Sequence, residues 1–147
     1  MAQATVNGIS LEYEVHGVED GEPLLLIMGL GAQMTRWPAG LYEKLVAKGF
    51  RVIRFDNRDI GLSQKFTGMP SVESVVGARM QGQKPDIPYT LDDMAADAVA
   101  LLDHLAIKRA HVAGASMGGM IGQLVAADYP DRVLSFTAVF TTTGNPA

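Results

Sequence analysis

Two spacings of apolar residues alternate along this chain, and together they predict its order of elements. Val6 to Ile9 and Leu11 to Val15 alternate with polar residues around Asn7-Gly8, which predicts an antiparallel hairpin. Pro23-Leu24-Leu25-Leu26-Ile27-Met28 is a continuous apolar run, the pattern of a parallel strand buried on both faces. A helix near Leu41–Lys48 follows, closed by Gly49, and then a β-branched strand over Arg51–Phe55. The stretch from Gly61 to Pro88 is rich in Gly and Pro and is expected to be irregular.

Thr90-Leu91-Asp92-Asp93 opens the next helix. Thr90 can cap it, Asp93 stands at the reciprocal capping-box position, and both acids suit the positive end of the helix dipole. Leu91, Met94, Ala95, Ala98, Leu101, Leu102 and Leu105 share one face of that helix. His111-Val112-Ala113 reads as a strand and Gly119–Ala127 as a helix, which Asp128–Arg132 ends before a last strand over Leu134–Phe140. Strands alternating with helices imply an α/β fold, a mostly parallel sheet flanked by helices.

Composition narrows the function classes. With 147 residues, 48% of them hydrophobic, the chain can bury one core and is expected to form a single domain. A net charge of −4 offers no basic stripe for nucleic acid and no polybasic patch for an anionic membrane. Without cysteine there is no disulfide, no thiolate catalysis and no Cys-ligated metal site. Met1–Gly8 lacks the basic and apolar regions of a signal peptide, and the apolar runs are short for a membrane span, so the expectation is a soluble, cytoplasmic protein.

The chemistry concentrates at Gly114-Ala115-Ser116-Met117-Gly118, lying between the predicted strand and helix. A serine there sits on a sharp, strained turn with its hydroxyl exposed, as in a nucleophile elbow. Upstream, the apolar strand ends in Gly29-Leu30-Gly31-Ala32, followed by Arg36-Trp37-Pro38. A third segment, Asp56-Asn57-Arg58-Asp59-Ile60-Gly61-Leu62-Ser63, follows the Arg51–Phe55 strand.

With these three motifs in order, nearly the whole chain resembles the α/β-hydrolase family. Its glycine loop with Trp37-Pro38 is most similar to the aclacinomycin-methylesterase-type esterases. The resemblance implies that Ser116 is the nucleophile and that the backbone N–H groups of Leu30 and Met117 form the oxyanion hole. Such donors, fixed before charge develops, hold the tetrahedral oxyanion without reorganising. Many members carry His-Gly in the loop where this chain has Met28-Gly29, which keeps the backbone donor but removes a histidine that props the loop. Asp56 and Arg58 are expected to fix their turn by charge-assisted hydrogen bonds, with a catalytic Asp56 the lesser alternative. Trp37 and the Gly61–Pro88 stretch are expected to line the acyl site. No metal or cofactor is expected: Gly29-Leu30-Gly31 lacks the third glycine and the acid of a dinucleotide fingerprint.

In the family, an acid and then a histidine follow the nucleophile. No histidine follows Ser116 in this sequence, and Asp128 and Asp131 are the only acids that do. His16 reads as a turn residue and His104 as a helix C-terminal cation. His111 opens the nucleophile strand at the end away from Ser116, about 13 Å off along extended chain. The expectation is therefore the N-terminal half of a hydrolase, cut after its sixth strand. Its last strand would be an open apolar edge that invites a second copy or a complementing C-terminal fragment. The leading reading is a serine hydrolase of small carboxylic esters. A catalytically incomplete fragment or binding module and a cofactor-free haloperoxidase-type activity are the alternatives.

Overall fold

The computed structural model of the chain describes residues 1–143. Its elements are β1 (Ala2–Val6), β2 (Ile9–His16), β3 (Glu22–Ile27), α1 (Ala39–Val46), β4 (Phe50–Phe55), α2 (Val72–Met80), α3 (Leu91–His104), β5 (Ala110–Ala115), α4 (Met117–Asp128) and β6 (Val133–Val139). Short 3₁₀ turns lie at Met34–Arg36 and Pro130–Arg132. One six-stranded sheet runs in the order β1-β2-β4-β3-β5-β6. The β4–β3, β3–β5 and β5–β6 pairs are parallel, while β1–β2 and β2–β4 are antiparallel. The mostly parallel sheet expected from the alternation is present.

Each strand's apolar pattern sets what covers it. In β3, Leu25 and Ile27 join the cluster beneath α3 and α4, with Leu11, Ile53, Phe55, Leu101, Leu102 and Ile121. Leu24 and Leu26 turn the other way, to Trp37, Val52 and Ala115 and to Tyr42, Leu45 and Val46 of α1 and its end. The uninterrupted apolar run of β3 is thus explained: both of its faces are core. The predicted hairpin forms, with Asn7 at φ 47° and Gly8 at φ 76° between β1 and β2, the signs that a tight two-residue turn requires. Thr90 and Asp93 make the reciprocal capping box of α3.

The expectation fails in one segment. The Gly61–Pro88 stretch, expected to be irregular, contains α2, whose first turn is capped by the Ser71 hydroxyl accepting from the Ser74 N–H at 3.1 Å. No residue of α2 is buried, so it carries none of the apolar periodicity by which a helix is recognised.

Candidate active site

β5 delivers the chain to Ser116, which stands between strand and helix at φ 54° and ψ −124°. A non-glycine residue in this region costs about 1–3 kcal/mol and persists only where its surroundings over-determine it. They do so here. The Ser116 N–H donates to the Val139 carbonyl at 3.0 Å. The Ser116 carbonyl accepts from the Gly119 N–H at 2.9 Å and from the Thr141 hydroxyl at 2.6 Å.

The glycines on either side are spatial necessities. A Cβ on Gly114 would collide with the carbonyl of Gly118, and one on Gly118 with the carbonyl of Ile27. The turn is therefore pressed against itself and against the end of β3, leaving Ser116 exposed. The serine side chain does not cap α4, although it stands at the N-cap position.

The loop after β3 meets this turn closely. A Cβ on Gly29 would lie 3.0 Å from the Ser116 Cβ and 3.5 Å from its Oγ. Leu30 follows at once and is 81% exposed, while Met117 begins α4. Among the described residues, the N–H groups of Leu30 and Met117 donate to no acceptor. Both residues line one hollow of about 570 Å³, together with Met69 and Ile87 from either side of α2 and with Leu91 and Met94 from the start of α3.

Buried polar groups hold the loops that frame the hollow. Asn57, absent from the expectations for the site, gives its side-chain N–H to the Met28 carbonyl at 2.9 Å, bracing the loop that lacks the histidine. Asp56 accepts the Met34 N–H at 2.6 Å, fixing the turn after the glycine loop. Ser63 donates to the Asp56 carbonyl at 2.6 Å and accepts from the Glu12 N–H at 2.9 Å. Arg58 does not pair with Asp56. It forms a buried bidentate pair with Asp97 of α3, both bonds at 2.7 Å, and Asn7 of the first hairpin donates to the same carboxylate at 2.8 Å. Asp97 gave no local signal, because its partner lies 39 residues upstream.

Trp37 is only 8% exposed and packs with Leu24, Leu26, Val52 and Ala115 beneath α1. It is not among the residues lining the hollow beside Met117. Of the Gly61–Pro88 stretch, Met69 and Ile87 do line it.

The histidines are engaged elsewhere. His16 stacks on Tyr42 with centroids 4.2 Å apart and contacts Glu14 at 3.1 Å. His104 meets the Tyr13 hydroxyl at 3.4 Å. The His111 Nδ1 lies 2.7 Å from the Ser135 hydroxyl, toward the strand end where β5 begins. Among the described residues, no group of three or more His, Asp or Glu side chains could hold a metal ion, and no helix is long and apolar enough to cross a membrane.

The sequence profile of the alpha/beta hydrolase fold matches residues 22–146, which include the glycine loop, the Asp56 turn and the Ser116 elbow. The chain belongs to the α/β-hydrolase family. Rhodomycin D methylesterase of Streptomyces peucetius is 38% identical over 135 residues, covering 92% of this chain and 40% of that protein. A 3-oxoadipate enol-lactonase of Acinetobacter baylyi is 30% identical over 128 residues, 87% of this chain and 40% of the enzyme. The crystal structure of the enol-lactonase from Burkholderia xenovorans superposes with a TM-score of 0.74 at 31% identity, over 92% of this chain and 45% of that one. This α/β-hydrolase chain thus spans about 40% of the length of the curated relatives it matches. The methylesterase-type resemblance of the Leu30 loop agrees with the first of these matches.

Proposed function

We propose that the chain carries the nucleophile and oxyanion hole of a serine esterase. Ser116 Oγ attacks the ester carbonyl carbon, forming a new C–O bond as its proton passes to a base. The Leu30 and Met117 amides receive the carbonyl oxygen as it becomes an oxyanion. Collapse of the tetrahedral intermediate breaks the bond to the alkoxy group, which leaves with the proton as an alcohol. Water then releases the acid from the acyl-serine by the same steps. The observation that carries this reading is the strained turn at Ser116, held by four hydrogen bonds to its backbone, with the hydroxyl left out of the helix cap. The methylesterase and enol-lactonase relatives support an ester or lactone as the substrate.

A serine hydroxyl needs an adjacent base at neutral pH. None of His16, His104 or His111 is offered to Ser116, so we assign the base and its acid to polypeptide outside these 147 residues. The outer edge of β6 is its docking line, since β6 closes the sheet order with no further strand among the described residues. A complementing C-terminal segment pairs there, with a second copy of the chain as the other candidate. Trp37 serves as support from behind the site: its carbonyl accepts from the Arg54 guanidinium at 3.0 Å, tying the loop to β4.

The test is hydrolysis of 4-nitrophenyl acetate by the chain, alone and after co-refolding with the part of the S. peucetius methylesterase beyond the matched region. Activity is expected in the complemented sample, and Ser116→Ala is expected to lower it by at least about 10³-fold. Equal activity in the variant would remove Ser116 from the chemistry.

A further inference from the structure

The hollow beside Leu30 and Met117 has a chemistry of its own. At about 570 Å³ it has the size of a small-molecule pocket. Leu30, Met69, Ile87, Leu91, Met94 and Met117 give it apolar walls, and three ionisable side chains, Arg58, Asp59 and Tyr89, also reach it.

None of those three offers a free cation. The Arg58 guanidinium is taken by Asp97 through two hydrogen bonds and lies 4.9 Å from the centre of the Tyr89 ring and 5.2 Å from that of Phe66. The Asp59 carboxylate accepts the Tyr89 hydroxyl and, at 2.6 Å, the Phe66 N–H. Burial and that bond to Asp59 push the Tyr89 phenol up to about 12, so it remains neutral in ordinary buffers. A carboxylate entering here would lose water and meet no free cation, only the Arg58 guanidinium already taken by Asp97 and the Asp59 carboxylate. The thioethers of Met69, Met94 and Met117, by contrast, adapt to apolar shapes and make favourable contacts with aromatic rings.

We infer that this hollow takes an uncharged apolar ring of the substrate and discriminates against a ring bearing a carboxylate. The inference rests on the esterase reading for the word substrate, but the binding preference does not require Ser116 to react.

The test is therefore binding, read in the full 147-residue chain by NMR of the methionine methyl groups. The sequence has eight methionines, three of them lining the hollow. Two probes are compared: 2-acetylnaphthalene, an uncharged ketone, and 6-acetyl-2-naphthoic acid, its carboxylate counterpart. The ketone is expected to shift Met69, Met94 and Met117 selectively, equally in the unaltered chain and in Ser116→Ala. The carboxylate is expected to bind at least about 10-fold more weakly, about the effect of one uncompensated interaction. Ile87→Lys, at a position 36% exposed, is expected to reverse that preference by supplying a free cation. Equal affinity for the two probes, or shifts confined to the other methionines, would overturn the inference. Because Ser116→Ala binds as before, failure of this preference and failure of the nucleophile assignment are read separately.

Discussion

Ser116 keeps a backbone geometry that an L-residue adopts only under constraint, and the constraint can be followed atom by atom. Two glycines allow the turn to press against β3, while Val139 and Thr141 hold it from the far side. Gly118→Ala is expected to destabilise the fold by more than about 3 kcal/mol, because the new methyl meets a backbone carbonyl that cannot rotate away. Urea denaturation at constant slope measures this. Thr141 is a subtler case. Thr141→Ser keeps the hydroxyl that bonds the Ser116 carbonyl and is expected to retain complemented esterase activity, whereas Thr141→Val loses it. With Ser116 displaced but the hollow intact, the loss should fall on kcat rather than on KM. The serine and its glycines were legible in the sequence because their pattern is local. Thr141 was not, since its bond spans 25 residues.

Among the elements, α3 follows from its sequence almost completely, with its capping box and its apolar face present as expected. Asp97 is the exception. It shares the buried face with Met94, Ala98, Leu101 and Leu102 because it neutralises Arg58, which local pattern cannot reveal. Asp97→Ala leaves the guanidinium buried without its partner and is expected to cost about 3–5 kcal/mol, while Arg58→Met with Asp97→Leu should be closer to the original stability. Chemical denaturation of the two singles and the double compares them. α2 is the opposite case: it buries nothing, so its apolar residues have no periodic face to betray a helix.

The β2–β4 pair carries the pH dependence. Burial alone would raise the Glu14 pKa, but hydrogen bonds and charge from Arg54 and His16 outweigh it and hold the carboxyl below the ordinary value of 4.5. A carboxylate depressed in the folded state contributes stability above its unfolded pKa and loses it as pH falls through the folded one. Glu14→Gln is expected to flatten the decline of the denaturation midpoint below pH 4.5. An unaltered acid limb in the variant would remove Glu14 as its source.

At the scale of the whole molecule, the sheet places the glycine loop of β3 beside the turn after β5, so Leu30 and Met117, almost ninety positions apart, line one hollow. That adjacency is a consequence of the β4-β3-β5 order, which periodicity alone does not determine; the family resemblance implied that the Leu30 and Met117 amides meet, not the order of the strands. The same order leaves β6 at the margin, with Leu134, Ser135, Thr137 and Ala138 exposed. Val139 turns its carbonyl to the Ser116 N–H, so the neighbouring Ala138 turns its own N–H to the free edge; if that edge is the docking line, Ala138→Pro should abolish complementation while keeping the β5–β6 pair. Co-purification of the two pieces measures it, and undiminished co-purification would direct the docking elsewhere.

Ser116 is proposed as a nucleophile waiting for a base. The most direct measurement is the rate of fluorophosphonate labelling in the complemented chain, with the modified residue identified by peptide mass. Rapid labelling confined to Ser116, slow in the chain alone and absent from Ser116→Ala, is the predicted result. Labelling at another serine, or none at Ser116 when hydrolysis is under way, would contradict it.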